Sequence, residues 1–484
     1  MVFEKLKNRL HSEASPSIDL AAAAYPPSRS EVFKGRLQYG TNIGGWFCLE
    51  KWIVPAMFSA VKGGDDSEYA AVSASVRELG VDKTRAKWEQ HWDSFVSESE
   101  FEWMAKHHVN AVRVPMGYWT LGERFVSGTP FAANCIPEVY KNSWAKYMKM
   151  IAIADKYGIG VLVDLHGVPG GANGESHSGI KDGGKFFSTS KDVSTAVNIV
   201  AFIAEQVKQS ANVIGIQLVN EAAWNSKAEK YYNSAIKRVR EIDPTQYVYI
   251  SDAWDRSKFV DFVKHMPGVI VDTHVYKCFS DSDNAKSADQ LIRDVREHEE
   301  LNTHCVVGEY SCTLSGSSWD KSGNNNRDRL RKEYGSAQCQ LYNEFSAGSF
   351  FWTFKFAEGR AGEWDLREMI DQECISFPKR TGRKPPNTDG TPEAKNAVQS
   401  HAQYWDKETH GKKMEHWRYE MGFAIGWRDA AQFWAIDESR IGARETWKSM
   451  RTADHIRNKG GGEFIWEFEQ GYTSGFQALA ETLK

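Results

Sequence analysis

The chain lacks three things that would narrow its class at once: a long apolar stretch, an excess of charge of one sign, and a paired set of cysteines. No run approaches the roughly 20 apolar residues needed to span a bilayer. Met1 to Gly35 is polar and charged apart from the short run Ala21 to Ala24, so neither a membrane span nor a signal peptide is expected. Lys and Arg number 60 against 64 Asp and Glu, a net charge of −4. That balance gives no electrostatic footprint for nucleic acid or an anionic membrane. The seven cysteines, Cys48, Cys135, Cys278, Cys305, Cys312, Cys339 and Cys374, are odd in number and show no metal-ligand spacing. A complete disulfide framework is excluded, and reduced thiols with a cytoplasmic location are expected. His298-Glu299-Glu300 with His304 misses the spacing of a zinc protease, and the glycine-rich stretch Gly167 to Gly174 lacks the lysine of a phosphate loop. No metal and no other cofactor is expected.

What the chain does have is a recurring pattern. Its 484 residues, 41% of them hydrophobic, can bury a large core. Apolar runs of strand length alternate with amphipathic segments, as parallel βα units require. Eight such runs are Leu37 to Trp46, Ala111 to Gly117, Gly160 to Gly167, Val213 to Glu221, Tyr247 to Ala253, Val269 to Tyr276, Cys305 to Tyr310 and Ser349 to Lys355. Between them, Trp88, Trp92, Phe95 and Val96, and again Trp144, Tyr147, Met148 and Ile151, recur at helical spacing. The fold expected is α/β, a (β/α)8 barrel over 37–370, preceded by a segment 1–36 and followed by a mainly helical extension over 371–484.

In such a barrel, reactive groups gather where the strands end. Polar residues close every run: Asn42 and Glu50, Arg113, Asp164 and His166, Asn220 and Glu221, Asp252, His274 and Tyr276, Glu309, and Trp352 with Lys355. Val219-Asn220-Glu221 and Gly308-Glu309-Tyr310 place a glutamate at two of these exits. Two carboxyls on one rim can divide the work of cleaving a glycosidic bond with retention, one protonating the leaving oxygen and the other attacking the anomeric carbon, across a gap of roughly 5 Å.

The extension contains an internal echo. Trp417-Arg418-Tyr419-Glu420-Met421-Gly422-Phe423 with Gly426 matches Trp466-Glu467-Phe468-Glu469-Gln470-Gly471-Tyr472 with Gly475. Glycines one helical turn apart, flanked by aromatics, let another backbone approach closely. The extension as a whole is expected to pack on the barrel or on a second subunit, which makes homo-oligomerisation through it an expectation, with a part in shaping the substrate site as the alternative. Pro378 to Pro392 reads as a linker.

These residues together carry a resemblance. Gly40-Thr41-Asn42-Ile43-Gly44-Gly45-Trp46, Asn110 to Gly117, Asp164-Leu165-His166-Gly167, Val219-Asn220-Glu221, His274-Val275-Tyr276, Gly308-Glu309-Tyr310 and Phe351-Trp352-Thr353-Phe354-Lys355 resemble glycoside hydrolase family 5, in particular its fungal exo-β-1,3-glucanase branch. The resemblance implies Glu221 as general acid/base and Glu309 as nucleophile, with Arg113, His166, Asn220, His274, Tyr276 and Trp352 as substrate-binding or supporting residues. It implies that Glu50 holds distal hydroxyls of a terminal glucose, favouring exo attack. An acid that starts protonated needs a raised pKa, so Glu221 is expected above the ordinary carboxylate range. The chain departs from the branch in three places. Asn173-Gly174 leads into Glu175-Ser176-His177-Ser178 rather than into an aromatic and an aspartate. Glu221 is followed by Ala222 in place of proline, and Ser315 to Asn326 reads as a short loop.

The function implied is that of a retaining β-glucosidase releasing terminal glucose from a β-1,3-glucan or short oligosaccharide, with transglycosylation as a side activity. Two further readings stay open: a β-glucosidase whose leaving group is a sterol, ceramide or flavonoid, and a non-catalytic carbohydrate-binding barrel.

Overall fold

The computed structural model describes residues 20, 22, 25–298, 301, 303–385, 390–409 and 413–483. Three stretches singled out in the sequence lie partly outside the described residues: Met1 to Gly35 with its alanine run, His298-Glu299-Glu300, and Pro378 to Pro392. The chain divides into two units, the first built on Gln38–Pro378, the second on Ala21–Leu37 together with Lys379–Lys484.

In the first unit, eight parallel strands close into a barrel in chain order. They are β1 (Gln38–Asn42), β2 (Ala111–Gly117), β3 (Gly160–Gly167), β4 (Val213–Gln217), β5 (Val248–Ser251), β6 (Val269–Lys277), β7 (Cys305–Leu314) and β8 (Gly348–Phe351). Every residue of β2, β3 and β4 is buried, because a parallel strand is covered by the barrel interior on one face and by helices on the other. Strands β2 and β3 have the bounds expected from sequence. β1 and β4 stop earlier, since the chain beyond Asn42 and Gln217 leaves the ladder on its way to Glu50 and Glu221. The Ser315 to Asn326 segment carries a short helix, Gly316–Ser322, started by the Ser315 hydroxyl accepting from the Ser318 N–H.

The outer helices bury the faces that their periodicity marks. Val81–Ser94 seats Trp88 and Trp92, and Ser143–Lys156 seats Tyr147, Met150 and Ile151. Helix Glu98–Lys106 opens with a capping box between Ser97 and Glu100. Lys355, expected among the rim groups of β8, instead pairs with Glu100 at 2.5 Å. No disulfide forms among the described residues, and none of their helices is long and apolar enough to cross a membrane.

The second unit is a helical assembly of Arg29–Gly35, Thr391–Glu408, His416–Ala435, Arg444–Lys459 and Ile465–Thr482. Its organising contact joins the two copies of the echo. A Cβ on Gly422 would lie 2.1 Å from the Phe468 carbonyl oxygen and one on Gly426 2.1 Å from that of Tyr472. Reciprocally, a Cβ on Gly471 would meet the Tyr419 carbonyl at 2.1 Å and one on Gly475 the Phe423 carbonyl at 2.0 Å. Each glycine thus faces the aromatic residue one turn before its counterpart in the other helix. The glycine faces receive each other.

Buried charges in this unit are paired, as burial requires. Glu467 accepts from His401 at 2.9 Å and from His416 at 2.8 Å, and the Arg451 guanidinium grips both oxygens of Asp429 at 2.8 Å. The helix Arg29–Gly35 joins here too: Gly35 runs so close to the Trp447 ring that a Cβ would lie 2.0 Å from its nitrogen.

Gly426→Val forces a side chain into a backbone carbonyl rather than into a yielding side chain. A loss of roughly 1–3 kcal/mol or more is expected, measured by urea denaturation of the full chain. Gly461→Ala, where the added Cβ meets only Ile456 at an ordinary 3.6 Å, is the control and leaves the midpoint unchanged.

Candidate active site

The site is assembled around Arg113, which β2 points into the barrel interior with no solvent exposure. Its Nε donates to Gln217 (2.9 Å), Nη1 to Asn42 (2.9 Å) and Glu309 (3.0 Å), and Nη2 to Asn220 (2.6 Å) and Asp272 (3.4 Å). Asp164 stands 3.1 Å from Nη1. Burial alone would lower the guanidinium pKa, but the charges of Asp164, Asp272, Glu309 and Glu221 more than reverse that. One buried cation therefore fixes groups from five other strands or their ends.

Residues on alternate positions of β6 share a face, so Asp272, His274 and Tyr276 all address this interior. Asp272 needs space, and Gly308 supplies it: a Cβ there would lie 1.6 Å from Asp272 Oδ1. The ladder between β6 and β7 also shifts at this point, Thr273 pairing with Val307 and His274 with Glu309. Gly308 is the residue passed over, and a bulge of this kind re-aims the side chain that follows. That side chain is Glu309.

Glu309 accepts from Arg113 on one oxygen and from the Tyr276 hydroxyl on the other, at 2.8 Å. Glu221 sits across from it. A carboxylate oxygen of each, with a ring nitrogen of His274, lie within 4.8 Å of one another. That upper limit is compatible with the roughly 5–5.5 Å gap of retaining glycosidases and lies below the 6.5–9.5 Å of inverting ones. His274 Nδ1 contacts Glu221 Oε1 at 2.8 Å and stands 3.5 Å from Glu309, while its Nε2 faces Asp272 at 3.2 Å. Glu221 has a φ of 41°, a left-handed conformation that costs energy for a residue with a Cβ and that collects at functional sites.

The expected raised pKa of Glu221 is not what the groups around it produce. Burial pushes it up, but hydrogen bonds from His177 and His274, and then their charges, hold it well below the carboxylate range. His177 Nε2 lies 3.2 Å from Glu221 Oε2, so both carboxylate oxygens face an imidazole. His274 itself is driven well above its ordinary value despite burial, by the charges of Glu309 and Asp272 and by its hydrogen bonds to Asp272 and Glu221.

The other expected residues converge on the same place. His166 hydrogen-bonds Asp164 at 2.7 Å and Asn220 at 3.1 Å, and its ring stacks along Trp352 with centroids 6.1 Å apart. Glu50 is buried; Oε2 accepts from the Trp52 indole at 3.0 Å, and Oε1 has no hydrogen-bond partner among the described residues. Burial raises its pKa against the opposing charges of His166 and His177. The neighbouring Lys51 is engaged by Asp66 at 2.6 Å. Asp252, a polar group at the β5 exit, is turned instead to Thr273 at 2.7 Å.

Three contributors were missed in the sequence. Asp272 carries a signal, lying on the strand face of His274 and Tyr276. Gln217 carries one too, as a polar residue inside a fully buried run. His177 has none, because it stands in a turn whose path no periodicity specifies.

Comparison with known proteins gives the Cellulase model of glycosyl hydrolase family 5 over residues 72–358, and the glucan 1,3-beta-glucosidase 3 C-terminal domain over 387–483. The chain is similar to an uncharacterized glycosyl hydrolase of Saccharomyces cerevisiae, with 36% identity across 92% of this chain and 91% of the relative. It is also similar to glucan 1,3-beta-glucosidase 3 of Schizosaccharomyces pombe, with 34% identity across 93% and 97%. A solved structure, the rutinosidase from Aspergillus niger, matches with a TM-score of 0.57 at 20% identity, covering 71% of this chain and 98% of its own, and shares the fold.

Arg113→Met retains much of the volume but strands Asp164, Asp272 and Glu309 without their counter-charge. Urea denaturation at neutral pH is expected to show a loss of about 3–5 kcal/mol. Stranded carboxylates bind protons more readily in the folded state than in the unfolded one, so this deficit shrinks as the pH falls. A variant as stable as wild type at neutral pH contradicts the role given to Arg113.

Proposed function

The chain belongs to glycosyl hydrolase family 5, and from that footing we propose that it is a retaining, exo-acting β-glucosidase releasing terminal glucose from a β-1,3-linked glucan or oligosaccharide. The observation that carries the proposal is the approach of Glu221 and Glu309 to within 4.8 Å. In the first step Glu309 attacks the anomeric carbon while Glu221 delivers a proton to the leaving oxygen. In the second, Glu221 takes a proton from the water that displaces Glu309. Arg113 and Tyr276 orient the nucleophile, and His274 orients the acid/base. The amide of Asn220, held by Arg113 and His166, presents its remaining N–H to the sugar 2-hydroxyl. Trp352 forms the floor beneath the ring.

Exo action is supported by Glu50, whose buried Oε1 is ready to accept from the distal hydroxyls of a terminal sugar. The β-1,3 linkage is supported by the name of the fission-yeast relative. The seven thiols, none of them in a disulfide, support a reducing, cytoplasmic setting.

A second reading keeps the chemistry and changes the leaving group to a hydrophobic aglycone. It is favoured by large aromatic side chains exposed on the segments after β4, β5 and β6: Trp224 at 61%, Trp254 at 63% and Phe279 at 70% exposure. Exposed apolar surface beside a site invites an apolar ligand.

Glu309→Gln is expected to reduce hydrolysis of an aryl β-glucoside to background. Glu221→Ala should lose about 10²–10⁴-fold on glucosides with poor leaving groups and far less on activated ones. Wild type and Glu309→Gln hydrolysing equally slowly would leave the non-catalytic barrel in place. Side-by-side assays on laminari-oligosaccharides and on glucosylated sterol or ceramide decide the leaving group, and turnover of the lipid alone overturns the first reading.

A further inference from the structure

We propose that His177 is a positioning residue that holds, jointly with Glu221, the proton delivered to the leaving oxygen. The proposal rests on the acid/base reading of Glu221 given above and adds a second proton-carrying group to it.

The placement of His177 is built into the loop. Asn173 Nδ2 donates to the Glu221 carbonyl at 3.0 Å, and the Ala223 N–H donates to the Ala172 carbonyl at 3.0 Å, so the turn is tied to the segment carrying the acid/base. On its far side, Gly179 lies against the Trp119 ring so closely that a Cβ would stand 2.0 Å away. Held at both ends, the turn sets His177 Nε2 at 3.2 Å from Glu221 Oε2. Nδ1 is buried with no hydrogen-bond partner among the described residues and keeps its hydrogen throughout, so the proton the ring can exchange is the one on Nε2, with Glu221 as its acceptor.

The groups around the ring favour its charge. Glu221 faces it from the β4 exit, Glu50 from the segment after β1 and Glu309 from β7. His166 at the end of β3 meets it edge to face at 5.3 Å. His274 of β6 stands on the other oxygen of Glu221. Cys48 contributes a neutral thiol that donates to the His177 carbonyl, its own pKa pushed well up by burial. Burial lowers the His177 pKa, but the hydrogen bond and charge of Glu221, followed by Glu50 and Glu309, outweigh it and bring the value to about 9.

The two imidazoles on Glu221 are therefore not equivalent. His274 is clamped by Asp272 as well as by Glu309 and Glu221, whose charges and hydrogen bonds drive its pKa well up in the resting site. His177 has a proton it can share. In the resting pair the proton sits on Nε2 and Glu221 is ionised. For the first step, the Nε2–H bond breaks as an O–H bond forms on Glu221, leaving a neutral imidazole beside a carboxylic acid. The acid then protonates the glycosidic oxygen as the C1–O bond breaks and the C1–Glu309 bond forms, and the alcohol departs neutral. In the second step Glu221 removes a proton from the attacking water as Glu309 is released, and that proton returns to His177. Protons balance over the cycle, and the active form of the pair carries one.

The consequence is an alkaline limit set by the pair. Activity that needs acid assistance should persist until His177 loses its proton, at about 9. The test is the pH dependence of kcat/KM for wild type, His177→Gln and His177→Phe on two aryl β-glucosides, one with a poor leaving group and one a dinitrophenyl glucoside that needs little protonation. Glutamine keeps an N–H donor but does not titrate in this range. The expected result is an alkaline limb displaced to lower pH by about one unit or more in both variants, with at least about 10-fold loss on the poor leaving group at pH 8. The dinitrophenyl substrate should change little. Superimposable profiles, or equal losses on both substrates at all pH values, overturn the proposal. Inactive wild type overturns the glucosidase reading instead, and Glu221→Ala distinguishes the two by showing whether the acid itself is correctly assigned.

Discussion

A full positive charge at the centre of a barrel is tolerable only if its surroundings compensate it, and most of what is unusual about this interior follows from Arg113. Removing a guanidinium from water costs several kcal/mol unless charges and hydrogen bonds replace the lost solvation. Here the replacement comes from the ends or bodies of β1, β3, β4, β6 and β7, through Asn42, Asp164, Gln217, Asn220, Asp272 and Glu309. The compensation has its own requirements. Asp272 fits only because residue 308 lacks a side chain, and the same position carries the shift in pairing after which Glu309 turns to the mouth. The orientation of one glutamate thus depends on an arginine three strands away round the closed ladder.

The second glutamate is governed by a different balance. Glu221 stands on a strained backbone, between two imidazoles whose hydrogen bonds and charges overcome the effect of burial. The simple expectation for an acid catalyst is a carboxyl made less acidic by its apolar surroundings. In this site the surroundings are cationic, so the acidity belongs to a cluster rather than to one carboxyl, as is general for strongly interacting groups. The stretch from Glu175 to Ser178, where the chain departs from the exo-glucanase pattern, is the stretch that supplies the second imidazole.

The helical unit follows a separate rule. Its two glycine-bearing helices touch backbone to backbone, and the aromatics flanking each glycine cover the seam, with Tyr419, Phe423 and Trp427 in its core. Reciprocity of this kind arises when one sequence element occurs twice and the two copies pair with each other. The echo was visible in the residues. Its partner was not, since a small face says that something comes close without saying what.

The chain's own order of residues determined the barrel and most of the site. A parallel strand buried on both faces must be a continuous apolar run, so eight strands could be counted, and polar residues closing those runs pointed to Asn220, Glu221, His274, Tyr276 and Glu309. Asp272 and Gln217 were within reach of the same logic, as polar residues on inward faces. Lys355 shows its limit: it closes the last run, yet its amine lies on Glu100, because which side of the chain a residue past a strand takes is settled by packing rather than by alternation. Only the tertiary structure decided the proton balance at Glu221. A pKa depends on distances of a few ångströms between groups far apart in sequence, and here those distances are set by a turn held between Trp119 and the Glu221 segment, for which local sequence carries no period and no code.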